Sequence, residues 1–175
     1  MWEYMAADDT RSTLRRRGET IGLLALGAGL GAILALAAGF DADFDLKNYH
    51  WYNAWAVLHE RGTQDVAPGQ LQSFFNPLLD LVFYGAVTTW APRGGSALLG
   101  VLHGLAPAFA GLLTRRLLPG PFGLAAAVMA VLGALYAPVF LAEVGTSKGD
   151  LLVAALILGG LLRALQQAHT NLAEW

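Results

Sequence analysis

The chain contains no cysteine. Disulfides, thiol nucleophiles and cysteine-ligated metals are therefore excluded. Charge is scarce too: 14% of the 175 residues are Asp, Glu, Lys or Arg, against about 25% in an ordinary soluble domain. The charges nearly cancel, to a formal net charge of −2. No basic stripe runs along any segment, which argues against a nucleic-acid partner. A phosphate-cradling glycine loop, a nucleophile elbow and a His-Glu-x-x-His zinc motif are all missing, as is any tandem repeat.

What remains is apolar. Hydrophobic residues make up 55% of the chain and the mean hydropathy is +0.48. They are gathered into runs that meet the requirement of about 20 residues for a membrane-crossing helix. Ile21–Phe40 carries no charge, Gly94–Thr114 is interrupted only by His103 and Pro107, and Phe122–Ala142 has Pro138 near its end. A fourth run, 150–168, contains Arg163, which can snorkel to the surface from near a helix end. The polar connections are too small to hold a separate soluble core. The expected fold is an all-α polytopic membrane bundle forming a single domain. It comprises a cytoplasmic tail at 1–20, spans at 21–40, 94–114, 122–142 and 150–168, and an outer loop at 41–93 with amphipathic juxtamembrane helices. Residues 74–90 either form a fifth span or lie on the membrane, since Asn76, Pro77 and Asp80 shorten their uncharged part.

Charge placement favours four spans. Lys and Arg concentrate on the cytoplasmic side. With the N-terminus inside and 74–90 not crossing, Arg11, Arg15, Arg16, Arg17, Arg115, Arg116 and Arg163 lie inside. Lys47, Arg61, Arg93 and Lys148 lie outside. A fifth crossing would even out the two sides. The four-span order also brings Asp41, Asp43, Asp45, Glu143 and Asp150 to the outer face. Ala35-Leu36-Ala37 resembles a signal cleavage site, but the run around it exceeds the about 7–15 residues of a signal h-region. An uncleaved anchor in the inner membrane of a bacterial cell is expected.

The junction after the first span is the richest segment. Asp41-Ala-Asp43-Phe-Asp45 leads into Asn48-Tyr49-His50-Trp51-Tyr52-Asn53-Ala54-Trp55. At about 100° per residue, an amphipathic helix over Asp45–Glu60 puts Trp51, Trp55 and Leu58 on a lipid-interface side. Asp45, Tyr49, Asn53 and Glu60 fall on a side that would line an aqueous pocket. Asp41, Asp43 and Asp45 do not start an EF-hand, because Leu46 and Tyr52 occupy the positions that need Gly and Glu. A looser divalent-cation site through Asp41 and Asp43 is one reading, and helix capping is the other. Glu143 and Asp150 bracket a second outer loop, where Thr146 or Ser147 is placed to cap the last helix. His50 and His59 read as hydrogen-bonding surface residues. His103 reads as a bond to a neighbouring helix, and Gly27-x-x-x-Gly31 and Gly100-x-x-x-Gly104 as close-packing faces.

The ordered pattern resembles the N-terminal part of the GT-C superfamily of integral-membrane glycosyltransferases, which use polyprenyl-phosphate donors. The resemblance rests on four segments: Asp45 four residues before Tyr49, Phe75-Asn76-Pro77-Leu78, Arg115-Arg116-Leu117-Leu118-Pro119-Gly120, and Gly145-Thr146-Ser147-Lys148-Gly149-Asp150. Asn76 stands where that group usually has a lysine. The resemblance implies transfer of a sugar from a polyprenyl-phosphate donor on the outer face. Asp45 and Asp150 would be the catalytic acids, Tyr49, Asn53 and Glu143 substrate contacts, and the partners membrane lipid and the lipid-linked donor. The enzymes of that group are much longer, so the competing expectation is a non-catalytic accessory subunit of a larger membrane complex.

Overall fold

A computed structural model describes the backbone of residues 2–66 and 68–173, and the side chains of 13–168 except 63 and 67; the Arg11 side chain, counted above among the inner charges, lies outside them. The described residues are helical throughout, with turns and no strand. The α-helices are α1 (Trp2–Ala38), α2 (Trp51–Leu58), α3 (Leu78–His103), α4 (Leu105–Leu117), α5 (Gly123–Leu135), α6 (Pro138–Glu143) and α7 (Asp150–Ala173). Three stretches are long and apolar enough to cross a membrane: Thr13–Ala38, Leu78–Leu117 and Asp150–Ala168. Helix α1 runs unbroken through the expected 1–20 tail into the first apolar run. Gly39, at φ 94°, ends that helix in a conformation that glycine adopts without strain.

Antiparallel packing organises the bundle. Gly27 lies against Gly104 and Ala108, and Gly31 against Gly100, so α1 and the α3–α4 stretch run in opposite directions. A β-carbon on Gly31 would overlap the Gly100 carbonyl oxygen. Only glycine permits this approach, and the two Gly-x-x-x-Gly faces meet each other. After the Leu118–Gly120 turn, α5 returns along α4, with Val131 and Ala127 packed on Gly111. These side chains join Leu23, Leu112, Leu135 and Phe140 in the main core. The α7 helix packs chiefly on α4, and Gly159 meets the Phe109 ring. Its other side is bare: Val153, Leu156, Ile157 and Leu161 are all about half exposed or more. Such an apolar face is compatible with contact to lipid or a partner.

Two expectations about helix continuity need correction. Phe122–Ala142 is not one uninterrupted helix. Pro138 drives Ala137 to an extended ψ of 137°, so α5 stops at Leu135 and α6 restarts with proline in its first turn. Asp45–Glu60 is not one regular α-helix either. Leu46–His50 is a π-helical turn, followed by α2 to Leu58, so the 100° phase does not carry from Asp45 to Asn53.

The α3 helix is sharply broken at Ala91, whose φ of 67° and ψ of 166° precede Pro92. Proline excludes helical geometry from the residue before it. The 78–90 half then folds back: Val87 packs on Gly95 across the break, Phe83 stacks on Phe40 beyond the end of α1 with ring centroids 6.1 Å apart, and Leu79 borders Gly149. Leu46, Phe83, Val87 and Leu99 form a second, smaller core beneath this half-helix.

Candidate functional site

Two polar loops meet at the end of the bundle where α1 finishes and α7 begins. Asp41, buried to 7% exposure, is the clasp. Its Oδ1 accepts the Asp43 backbone N–H at 3.0 Å, a local turn that aspartate favours. Its Oδ2 accepts both the Ser147 backbone N–H (2.9 Å) and the Ser147 hydroxyl (3.0 Å). Next to this clasp, the Lys148 ammonium donates to Asp43 Oδ2 at 2.7 Å. Lys148 and the Phe44 N–H hold the Asp43 carboxyl below its ordinary range, and Asp43 in turn raises Lys148, with smaller contributions from Asp45 and Glu143. Both groups are therefore charged at neutral pH.

Asp45 is half-buried, and its carboxylate receives no hydrogen bond from any described residue. Tyr49 lies beside it. Burial, then the charges of Asp45, Asp80 and Asp43, raise the Tyr49 phenol above its ordinary value, so it stays a protonated donor. Its ring contacts His50 (4.2 Å between centroids) and meets Phe75 edge-on. On the second loop, burial and the Asp150 charge raise the Glu143 carboxyl, and Asp150 is also within its hydrogen-bonding reach. Gly145, at φ 78°, turns this loop over Ala35 and Ser96, and its N–H donates to Nδ1 of the fully buried His103 at 3.3 Å. His103 thus bonds a neighbouring segment.

The structure brings Asp43, Asp45 and Tyr49 together with Lys148, and sets Glu143 against Asp150. Asn53 is not part of this group. It is 4% exposed, and its amide donates to the Gln72 carbonyl at 2.9 Å. The 69–75 strap covers the α2 face expected to line water, and Asn53 instead borders a cleft of about 160 Å³ between α2 and the strap. Trp51 packs on Tyr84 and Phe83 of α3. Neither hydroxyl of the second loop caps α7: Ser147 serves Asp41, and Thr146 donates to the Glu143 carbonyl. The Asp41 and Asp43 carboxylates are engaged as described, and no group of three or more His, Asp or Glu side chains among the described residues is arranged to hold a metal ion.

Sequence reasoning missed the His50–Asp80 pair and the role of Lys148. His50 Nδ1 and Asp80 Oδ1 are 2.7 Å apart and largely buried, joining the π-helical turn to α3. The available signal was an aspartate near the start of an apolar helix. For Lys148 the signal is its position as a lone lysine between Glu143 and Asp150, which suits a counter-ion. Compared with protein-family models, curated proteins and solved structures, the chain matches none. Fold and composition together describe an all-helical chain compatible with multiple passes through a membrane.

Proposed function

We propose that the chain crosses the membrane four times with its N-terminus cytoplasmic, and that its acidic end is an outer-face site for sugar transfer from a polyprenyl-phosphate donor. The carrying observation is the unbonded Asp45 carboxylate beside Tyr49 and the Asp43–Lys148 pair. A carboxylate left without donors is free to accept a proton, and a cation close by suits a departing phosphate. The fold-back of 78–90 at Ala91 supports a half-helix that stays at the outer face. The GT-C resemblance adds the reaction class.

In this reading Lys148 holds the donor phosphate and Asp43 keeps the lysine charged. Asp45 takes the proton of the acceptor hydroxyl as its oxygen bonds to the sugar's anomeric carbon. The bond from that carbon to the phosphate oxygen breaks, and polyprenyl phosphate leaves with the electron pair beside Lys148. Tyr49 donates to the sugar or phosphate, while Glu143 and Asp150 orient hydroxyl groups.

The test is transfer from a polyprenyl-phosphosugar in proteoliposomes. Asp45→Asn should lower turnover by about 100-fold or more, the usual scale of general-base loss. It should leave thermal stability unchanged, because no hydrogen bond to the carboxylate is lost. Undiminished turnover in the variant contradicts the assignment. No turnover by the wild-type chain favours an accessory subunit.

A further inference from the structure

The end of the bundle opposite the acidic loops holds a cavity of about 260 Å³ between α1, α4 and α7. Arg16, Arg115 and Arg116 line it, with Leu23, Leu112 and Leu162 as apolar walls. Glu19 also borders it, but that carboxylate is already shared, accepting from Arg115 Nε at 2.8 Å and Arg15 Nε at 3.1 Å. Arg115 is further tied to the Leu118 carbonyl by Nη1 at 3.2 Å. The Arg16 and Arg116 guanidinium groups, in contrast, have no hydrogen-bond or ion-pair partner among the described residues. Two guanidinium groups without a partner among the described residues, at a cavity whose lining carboxylate Glu19 is already shared, make a site for an anion. Guanidinium forks match phosphate oxygens.

The leucine walls decide which anion. A free phosphate or nucleotide would meet apolar side chains on much of its surface and lose hydration there. A phosphodiester carrying acyl chains would not: its headgroup meets the arginines while the chains follow the leucines along the helices. We infer that this cavity binds the headgroup of an anionic phospholipid in the leaflet at the arginine end of the bundle. Basic pockets between membrane helices recognise such headgroups. The inference rests on the bundle being membrane-embedded, and it is independent of any chemistry at the acidic end.

The test measures lipid retention on the full-length protein purified in mild detergent, by native mass spectrometry with phosphatidylglycerol or phosphatidylcholine added. Each free arginine is worth roughly fivefold in attraction to an anionic headgroup, so wild-type protein should prefer phosphatidylglycerol on the order of 30-fold. Arg16→Gln with Arg116→Gln should abolish the preference. Stability in phosphatidylcholine should be unaffected, because neither side chain bonds another described residue. Arg93→Gln, which removes an arginine charge from the exposed stretch beside the Ala91 break, should keep the preference. Equal retention of both lipids, or an unchanged preference in the double variant, overturns the inference. So does equal protection by inorganic phosphate or glycerol 3-phosphate, which would make the site one for a free anion. Membrane integration is read separately, by resistance to alkaline extraction. A chain released by alkali overturns the embedded reading as well, whereas an integral protein that does not discriminate lipids overturns only this one.

Discussion

Three aspartates within five residues look equivalent as letters, and they do three different things. Asp41 clasps the loops, Asp43 pairs with Lys148, and Asp45 is left unbonded. Nothing near them in the sequence distinguishes the first two roles, because Ser147 and Lys148 lie more than a hundred residues away. Asp45 is marked in the sequence only by its spacing to Tyr49, and in the structure its charge still acts on the Tyr49 phenol while Asn53 is separated. Asp41→Ala removes an acceptor from three donors, two of them on Ser147, and leaves buried N–H and O–H groups unpaired. A loss of about 2–4 kcal/mol in unfolding free energy is expected; a shift in denaturation midpoint equal to that of an exposed substitution such as Thr89→Ala would contradict the clasp. Glu143 gives a pH prediction. Its folded-state value is raised, first by burial and then by Asp150, so the folded chain holds this proton above the ordinary 4.5. Its contribution is present below that value and lost as pH rises through the raised one. Thermal stability of Glu143→Gln should therefore fall less than wild type between acid and neutral pH, and parallel curves would refute this.

At the scale of elements, the uncharged runs made the long helices legible, and the prolines marked the breaks. Pro92 sets the sharp turn at Ala91, and Pro138 divides α5 from α6. The length of each resulting piece was harder to read, because composition alone does not say on which side of a proline a helix resumes. The π-helical turn at Leu46–His50 left no mark in the apolar periodicity. The two Gly-x-x-x-Gly spacings were weak signals separately, since glycine is abundant, and only their mutual contact gives them weight. Ala91 holds a backbone region that is almost exclusive to glycine, a strain of order 1–3 kcal/mol. Ala91→Gly relieves it against an unfolded-state entropy cost of about 0.5–1 kcal/mol. The variant should melt higher than wild type, and a lower melting temperature would argue against the fold-back. Gly31→Leu forces a side chain into the Gly100 backbone, which cannot yield as a flexible side chain would. Destabilisation of about 3 kcal/mol or more is expected, whereas the same change at Gly29, which faces open space, should be tolerated. Equal melting of the two variants would count against the glycine interface.

Across the whole molecule the two ends carry opposite chemistry. One gathers Asp43, Asp45 and Glu143 around Lys148, with the His50–Asp80 pair and Asp150 at the same end, and the other gathers arginines around a cavity. The separation was foreshadowed in the charge order along the chain, whereas the closure of each end into a site was not. Closure depends on antiparallel packing that returns the chain to the same end at residues 41–50, 80 and 143–150. The proposed transfer site requires that these ends lie on opposite faces of a membrane and that 78–90 does not cross it. The absence of cysteine allows a clean test. Arg93→Cys and Gln166→Cys introduce single thiols at exposed positions, beside the Ala91 break and at the arginine end respectively. An impermeant maleimide should label Arg93→Cys in right-side-out vesicles and Gln166→Cys only in inverted ones. Labelling of Arg93→Cys only from the inverted side would mean that 78–90 crosses, and would contradict the account.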